Sequence, residues 1–126
     1  RRDAGFLISA AARRLGTALR RLEAYARAGA DILFVEAPPS EADLAQVPQR
    51  LGAPCLANMV EGGFSPILSA DRLRDMGFTI ALYPTTGLLA ATSVLRSAYA
   101  HLRDTGSSAG IDLTPISEMH HIMDLR

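Results

Sequence analysis

The chain has 126 residues, of which 48% are apolar, and it carries 13 basic and 13 acidic side chains. A chain of this length predicts one domain with a buried core, and a net charge of zero provides no basic surface to hold a nucleic acid or an anionic membrane. Cys55 is the only cysteine, which excludes an internal disulfide framework and favours a reducing, cytoplasmic setting. No apolar run approaches the roughly 20 residues of a membrane helix, so we expect no membrane partner.

The start of the chain is unusual. Its first residues, Arg1 and Arg2, lack the apolar stretch of a signal peptide, and the first methionine is Met59. We therefore expect the natural protein to have residues before Arg1.

The predicted elements follow one another as strands and helices. The run 6–8 predicts a first strand, and the apolar stripe of the next helix consists of Leu15, Leu19, Leu22 and Ala26. Ser40 and Ser69 have the spacing of helix N-caps, and Pro48 is expected to distort the helix that Ser40 opens. A longer helix is predicted from about Thr86 to Gly106. After a flexible linker over 107–110, a short amphipathic helix is predicted from Ile116, Met119, Ile122 and Met123.

Three glycines mark a repeat in the chain. Gly29, Gly52 and Gly77 lie 23 and 25 residues apart, and each ends a helical pattern and leads into an apolar run. With the first strand, this arrangement predicts four βα units with a parallel sheet. Such units can form a small doubly wound sheet or half of a (β/α)₈ barrel. In both folds the chemistry lies at the carboxyl ends of the strands.

Polar residues follow two of the predicted strands. Glu36 ends an almost wholly apolar run, where a carboxylate needs a partner such as a metal, a metal-bound water or an arginine, unless it caps a neighbouring turn. Asn58 stands in the matching place one unit later and can bind a small oxyanion or stabilise its own turn. Glu61 adds a carboxylate, and Gly62 and Gly63 either let the backbone approach a ligand or form an ordinary loop. Cys55, within a strand, is predicted to be a small core residue.

Four segments together resemble the C-terminal half of the phosphoenolpyruvate mutase and isocitrate lyase superfamily. The similar branches are the carboxyphosphonoenolpyruvate phosphonomutase, oxaloacetate decarboxylase and methylisocitrate lyase types, and the resemblance covers roughly residues 5–105. The segments are AYARAGAD (24–31), FVEAP (34–38), LANMVEGG (56–63) with SP (65–66), and LYP (82–84).

The resemblance implies a (β/α)₈ TIM barrel of which this chain contains about the last four βα units. It also implies a Mg²⁺-dependent lyase or phosphonomutase that acts on a small 2-oxo or 2-hydroxy acid through an enolate of pyruvate. By position, Glu36 matches a carboxylate that holds waters of the Mg²⁺ shell, and Asn58 matches a residue that faces the substrate. Residues 61–63 match a loop that shapes the specificity pocket, and Pro84 matches the end of the eighth strand.

The chain departs from the family pattern in two places. Family members carry Arg-Thr-Asp-Ala after the fifth strand, where the arginine binds a substrate carboxylate, whereas this chain has SAAARR at 9–14. The family's acidic metal ligands and its Lys-Lys-Cys-Gly-His gating loop belong to the first half of the barrel and are not in this sequence. The alternative hypothesis is therefore a non-catalytic barrel remnant with an assembly or ligand-binding role.

Two regions are expected along the chain. Residues 1–106 are predicted to form the C-terminal half of the barrel, and residues 107–126 a linker and a short helix. The apolar face of that helix predicts a subunit contact. The family commonly exchanges its last helices between subunits, so the resemblance implies a homo-oligomer, either a dimer or a tetramer.

Overall fold

The computed structural model describes residues 15–124. The chain divides between Thr86 and Gly87 into two compact units. The elements are α1 (Leu15–Arg27), β1 (Leu33–Phe34), α2 (Glu41–Leu51), β2 (Cys55–Asn58), α3 (Ala70–Met76), β3 (Ile80–Leu82), α4 (Thr86–Thr105) and α5 (Ile116–Ile122). The predicted strand at 6–8 and the segment 9–14 lie outside the described residues.

The first unit contains a parallel sheet in the order β1-β2-β3. The predicted parallel arrangement is thus confirmed for the three strands within residues 15–124. Leu33 and Phe34 pair with Cys55 and Leu56, and Asn58 pairs with Leu82. The ladder between β1 and β2 is short and joins only two residue pairs.

Side chains alternate between the two faces of this sheet. One face packs against α1, α2 and α3, and its core includes Leu22, Leu33, Leu44, Cys55 and Met59. The opposite face, here called the inner face, carries the alternate residues of the strands: Phe34 of β1, Leu56 and Asn58 of β2, and Ile80 and Leu82 of β3. Asn58 is therefore on the face that the helices do not cover.

Helix ends in this unit follow the predicted capping signals. The Ser40 hydroxyl accepts a hydrogen bond from the backbone N–H of Asp43 at 3.1 Å, and Ser69 caps α3 in the same way. Gly29, Gly52 and Gly77 all have positive φ, the left-handed conformation that ends a helix and that glycine adopts without strain. Helix α2 runs from Glu41 to Leu51 without a break, although Pro48 lies inside it.

The second unit contains α4 from Gly87 onward, a connecting segment and α5. Helix α4 ends at Thr105, as predicted, and none of its residues is buried. On the connecting segment, the Ala109 carbonyl lies 2.9 Å from Nε2 of His101. Within residues 15–124, none of the helices has the length and apolar character that crossing a membrane requires.

Candidate functional site

The carboxyl ends of β1, β2 and β3 lie at one edge of the sheet because the strands are parallel. Asn58 is the last residue of β2 and pairs with Leu82. Phe34 is the last residue of β1 and pairs with Leu56, and Glu36 follows it two residues later, in a bend. Glu36 and Asn58, the two residues that the sequence predicts to carry the chemistry, thus both lie at the carboxyl ends of neighbouring strands, an edge here called the carboxyl edge.

Glu36 lies just after β1, and its side chain is exposed. Exposure to water lowers the cost of a carboxylate at the end of an apolar run. The next residue, Ala37, has a φ of 51°, a left-handed conformation that is unusual for a residue other than glycine. The chain thus turns sharply directly after Glu36, and the carboxylate stays at the open edge of the sheet.

Asn58 is half-buried at the end of β2. Its neighbours in the sequence, Ala57 and Met59, are fully buried in the core on the helix side. The strand is therefore held firmly by its core residues, while the Asn58 amide, which is both a donor and an acceptor, lies on the inner face.

A tight turn follows Asn58 at residues 60–63. The backbone N–H of Gly63 donates to the Val60 carbonyl at 3.0 Å, and Gly62 has a φ of 75°. A positive φ at the third position is typical of a type II turn and favours glycine there. A Cβ added to Gly63 would lie 2.9 Å from the Val60 carbonyl oxygen. Both glycines are thus required by the turn itself.

The segment 59–69, here called the β2 loop, is tied to the connections on both sides. Ser65 donates to the Pro38 carbonyl at 2.7 Å, and Tyr83 donates to the Leu68 carbonyl at 2.6 Å. The Glu61 carboxylate accepts hydrogen bonds from the hydroxyls of Thr85, at 2.6 Å, and Thr86. The carboxyl edge is therefore a connected set of three segments.

The hydrogen bonds from the two threonines lower the pKa of Glu61 below its usual value. The side chain is therefore ionised at neutral pH. Pro84 lies exposed in the short connection between β3 and α4, next to these threonines. The sequence did not single out Thr85 and Thr86 as functional, and the signal available was only a pair of hydroxyls directly after a strand end.

Cys55 does not belong to the site. Its side chain is fully buried in the core, and burial raises the pKa of the thiol to about 11. The thiol is therefore protonated at neutral pH, which confirms the prediction of a core residue.

The described residues do not contain a complete set of ligands for the Mg²⁺ that the family resemblance implies. Within 15–124, no group of three or more His, Cys, Asp or Glu side chains could hold a metal ion. Glu36 supplies one exposed carboxylate, the hard oxygen ligand that Mg²⁺ prefers, and Mg²⁺ usually keeps several of its waters. The donor set thus fits a single water-mediated contact, and a complete site needs ligands from other residues.

The parallel sheet and the helices packed on it define an α/β protein. The phosphoenolpyruvate phosphomutase family matches residues 1–103. The chain belongs to this family of enzymes, the phosphoenolpyruvate mutase/isocitrate lyase superfamily, as the resemblance predicted.

Similar proteins include two lyases. The chain is 36% identical to 2,3-dimethylmalate lyase of Eubacterium barkeri over 110 residues, which are 86% of this chain and 38% of the relative. It is 41% identical to 2-methylisocitrate lyase of Bacillus subtilis (strain 168) over 93 residues, which are 74% of this chain and 31% of the relative.

A solved structure has a fold similar to that of this chain. A crystal structure of 2,3-dimethylmalate lyase, described as a superfamily member, superposes with a TM-score of 0.85 at 30% identity. The match covers 95% of this chain and 43% of that one. The chain thus spans less than half the length of these similar proteins.

Proposed function

We propose that the protein containing this chain is a Mg²⁺-dependent lyase or phosphonomutase that acts on a small 2-oxo or 2-hydroxy acid. It would cleave or form a C–C or P–C bond through an enolate of pyruvate. The observation that carries the proposal is the placement of Glu36 and Asn58 at one carboxyl edge, in a chain of this superfamily. In parallel α/β folds this edge is where ligands bind.

We further propose that the first unit is part of a (β/α)₈ barrel and contributes about its last four βα units. The inner face of the sheet would then line the barrel interior. The superposition on the lyase structure supports this proposal, because that chain is more than twice as long as the matched part. A barrel of this kind needs about 250 residues.

Glu36 and Asn58 would have different tasks in the reaction. Bound Mg²⁺ would supply a positive charge that stabilises the oxygens on which negative charge accumulates. Glu36 would orient the waters of the metal shell with its exposed carboxylate. Asn58 would bind a carboxylate or keto oxygen of the substrate through its amide, since it lies half-buried on the inner face.

The remaining proposed substrate contacts come from the β2 loop and the following connection. The turn at Gly62 and Gly63 would shape one wall of the specificity pocket, next to Glu61. Pro84 would lie beside this turn, after β3. Both are supported by their position at the carboxyl edge, since the turn follows β2 and Pro84 follows β3.

Activity measurements on the full-length protein test this function. We expect Mg²⁺-dependent turnover of at least one of oxaloacetate, methylisocitrate, dimethylmalate and phosphonopyruvate, loss of turnover on chelation, and recovery on addition of Mg²⁺. A protein-free reaction at the same Mg²⁺ concentration is the control for spontaneous decarboxylation. If all four substrates stay unchanged, the proposal fails, and the non-catalytic barrel remnant replaces it.

We propose that the protein is a cytoplasmic homo-oligomer, a dimer or a tetramer, whose subunits meet through their C-terminal helices. The apolar side chains of α5 support this: Ile116 is 71% exposed, Ile122 65% and Met123 52%. The single, buried cysteine is compatible with a reducing compartment.

Sedimentation of the full-length protein is expected to give a dimer or tetramer. The double variant Ile116→Asp with Ile122→Asp is expected to shift the protein toward the monomer. A wild-type monomer at micromolar concentration would contradict the proposal.

A further inference from the structure

The contacts of Glu61 differ from those expected of a substrate ligand. Its Oε2 accepts the hydrogen bond of Thr85, and its Oε1 accepts that of Thr86. Both oxygens thus already have hydroxyl partners within the protein. The bonded partners lie 24 and 25 residues away in the sequence, so the contact joins two separate connections of the sheet.

The charge of Glu61 strengthens this contact. A glutamate carboxyl is ionised at neutral pH, and the two hydroxyls lower the pKa of Glu61 further. Hydrogen bonds to an ionised acceptor are stronger than neutral ones. An ionised carboxylate only accepts hydrogen bonds. The two hydroxyls donate to it, which fixes the direction of both bonds.

The hydrogen bonds of Glu61 to the two threonines lie close to Asn58 along the chain. Glu61 is three residues after Asn58 and lies inside the turn that Gly63 closes on Val60. The other two ties of the β2 loop, at Ser65 and Leu68, lie further along the chain. Glu61 is therefore the side-chain tie nearest to Asn58 in this loop.

We propose that Glu61 is a positioning residue, which binds Thr85 and Thr86 and thereby fixes the turn next to Asn58, and that it does not itself contact the substrate. The proposal rests on the proposed function for its catalytic consequence. The interaction itself is a feature of the first unit and can be tested separately. It replaces the substrate-binding role that the family resemblance implies for Glu61.

Three variants of the full-length protein test the assignment through activity. Glu61→Ala removes the acceptor, the paired change Thr85→Val and Thr86→Val removes both donors, and a third variant combines all three changes. Since a displaced turn misplaces Asn58, kcat/KM is expected to fall by about tenfold to a hundredfold in the first two variants. The combined variant is expected to lose no more kcat/KM than either of the first two variants, because all three variants remove the same interaction.

Two further variants separate positioning from general destabilisation. Restoring the hydroxyls with Thr85→Ser and Thr86→Ser is expected to return kcat/KM to within about threefold of the wild type. Thr92→Val is the matched control, because the hydroxyl of Thr92 bonds only to the Leu88 carbonyl of its own helix. If Glu61→Ala abolishes activity while the valine pair has no effect, or if the losses multiply in the combined variant, Glu61 contacts the substrate and the proposal is wrong.

Hydrogen exchange tests the interaction without any activity. Faster amide exchange is expected in peptides covering 59–69 for Glu61→Ala and for the valine pair, with unchanged exchange in α1 and α2. This result together with an inactive wild-type protein would reject the proposed function and keep the interaction. Unchanged exchange of the β2 loop in both variants would overturn the positioning proposal, whatever the activity.

Discussion

Glu36→Ala is expected to lower kcat/KM by about tenfold to a hundredfold, the usual cost of removing a group that orients a metal's ligands. The physical reason is the placement of the carboxylate, which is exposed at the carboxyl edge after β1. A metal-shell water that loses this acceptor is less well oriented. The Mg²⁺ concentration that gives half-maximal activity is expected to rise by a similar factor, and steady-state kinetics across a Mg²⁺ titration measures both effects.

Two further variants make the Glu36 test specific. Glu36→Gln keeps the size of the side chain and removes its charge, so a similar loss shows that the charge is needed. Glu23→Ala removes a carboxylate on α1, where its ion pair with Arg50 is long, at 3.9 Å, and is expected to leave kcat/KM unchanged. If Glu36→Ala retains wild-type activity and Mg²⁺ dependence, Glu36 has no part in the metal site.

Gly63→Ala is expected to reduce activity by about a hundredfold, because a shift of roughly 1 Å at a positioned group has effects of this size. The new Cβ would lie 2.9 Å from the Val60 carbonyl oxygen, a backbone atom that cannot rotate away. The turn must therefore open, and Asn58 lies directly before it. The free energy of unfolding is expected to fall by about 1–3 kcal/mol, which chemical denaturation measures.

Gly87→Ala is the matched control for this change. Gly87 lies in α4, its φ is not positive, and a Cβ there meets nothing within 4 Å. Alanine favours a helix by up to about 1 kcal/mol over glycine, so this variant is expected to be at least as stable as the wild type. Equal activity and stability of Gly63→Ala and Gly87→Ala would show that the turn does not depend on Gly63.

Much of the first unit could be predicted from local signals. Gly29, Gly52 and Gly77 each have the left-handed backbone that their position after a helical pattern predicts, and Ser40 and Ser69 cap the next helices. Such signals act over a few residues, so a single sequence contains them. The order of the strands then follows, since consecutive βα units place neighbouring strands side by side.

The hydrogen bonds of the site could not be predicted in the same way. The bond between Glu61 and Thr85 joins residues 24 positions apart, and nothing in either residue type indicates the other as its partner. The exposure of Glu36 could not be predicted either. An apolar run predicts burial, but the sharp turn at Ala37 keeps the carboxylate at the open edge. Neither feature has a sequence signal of its own.

The most direct test of the central claim is a crystal structure of the full-length protein with Mg²⁺ and a small oxo-acid such as pyruvate. The metal and the acid are expected to bind at the carboxyl ends of β1 and β2. A Glu36 oxygen is expected within hydrogen-bond distance of a metal-bound water, and the Asn58 amide within hydrogen-bond distance of the acid. Binding of both at another place, with Glu36 and Asn58 contacting neither, would contradict it.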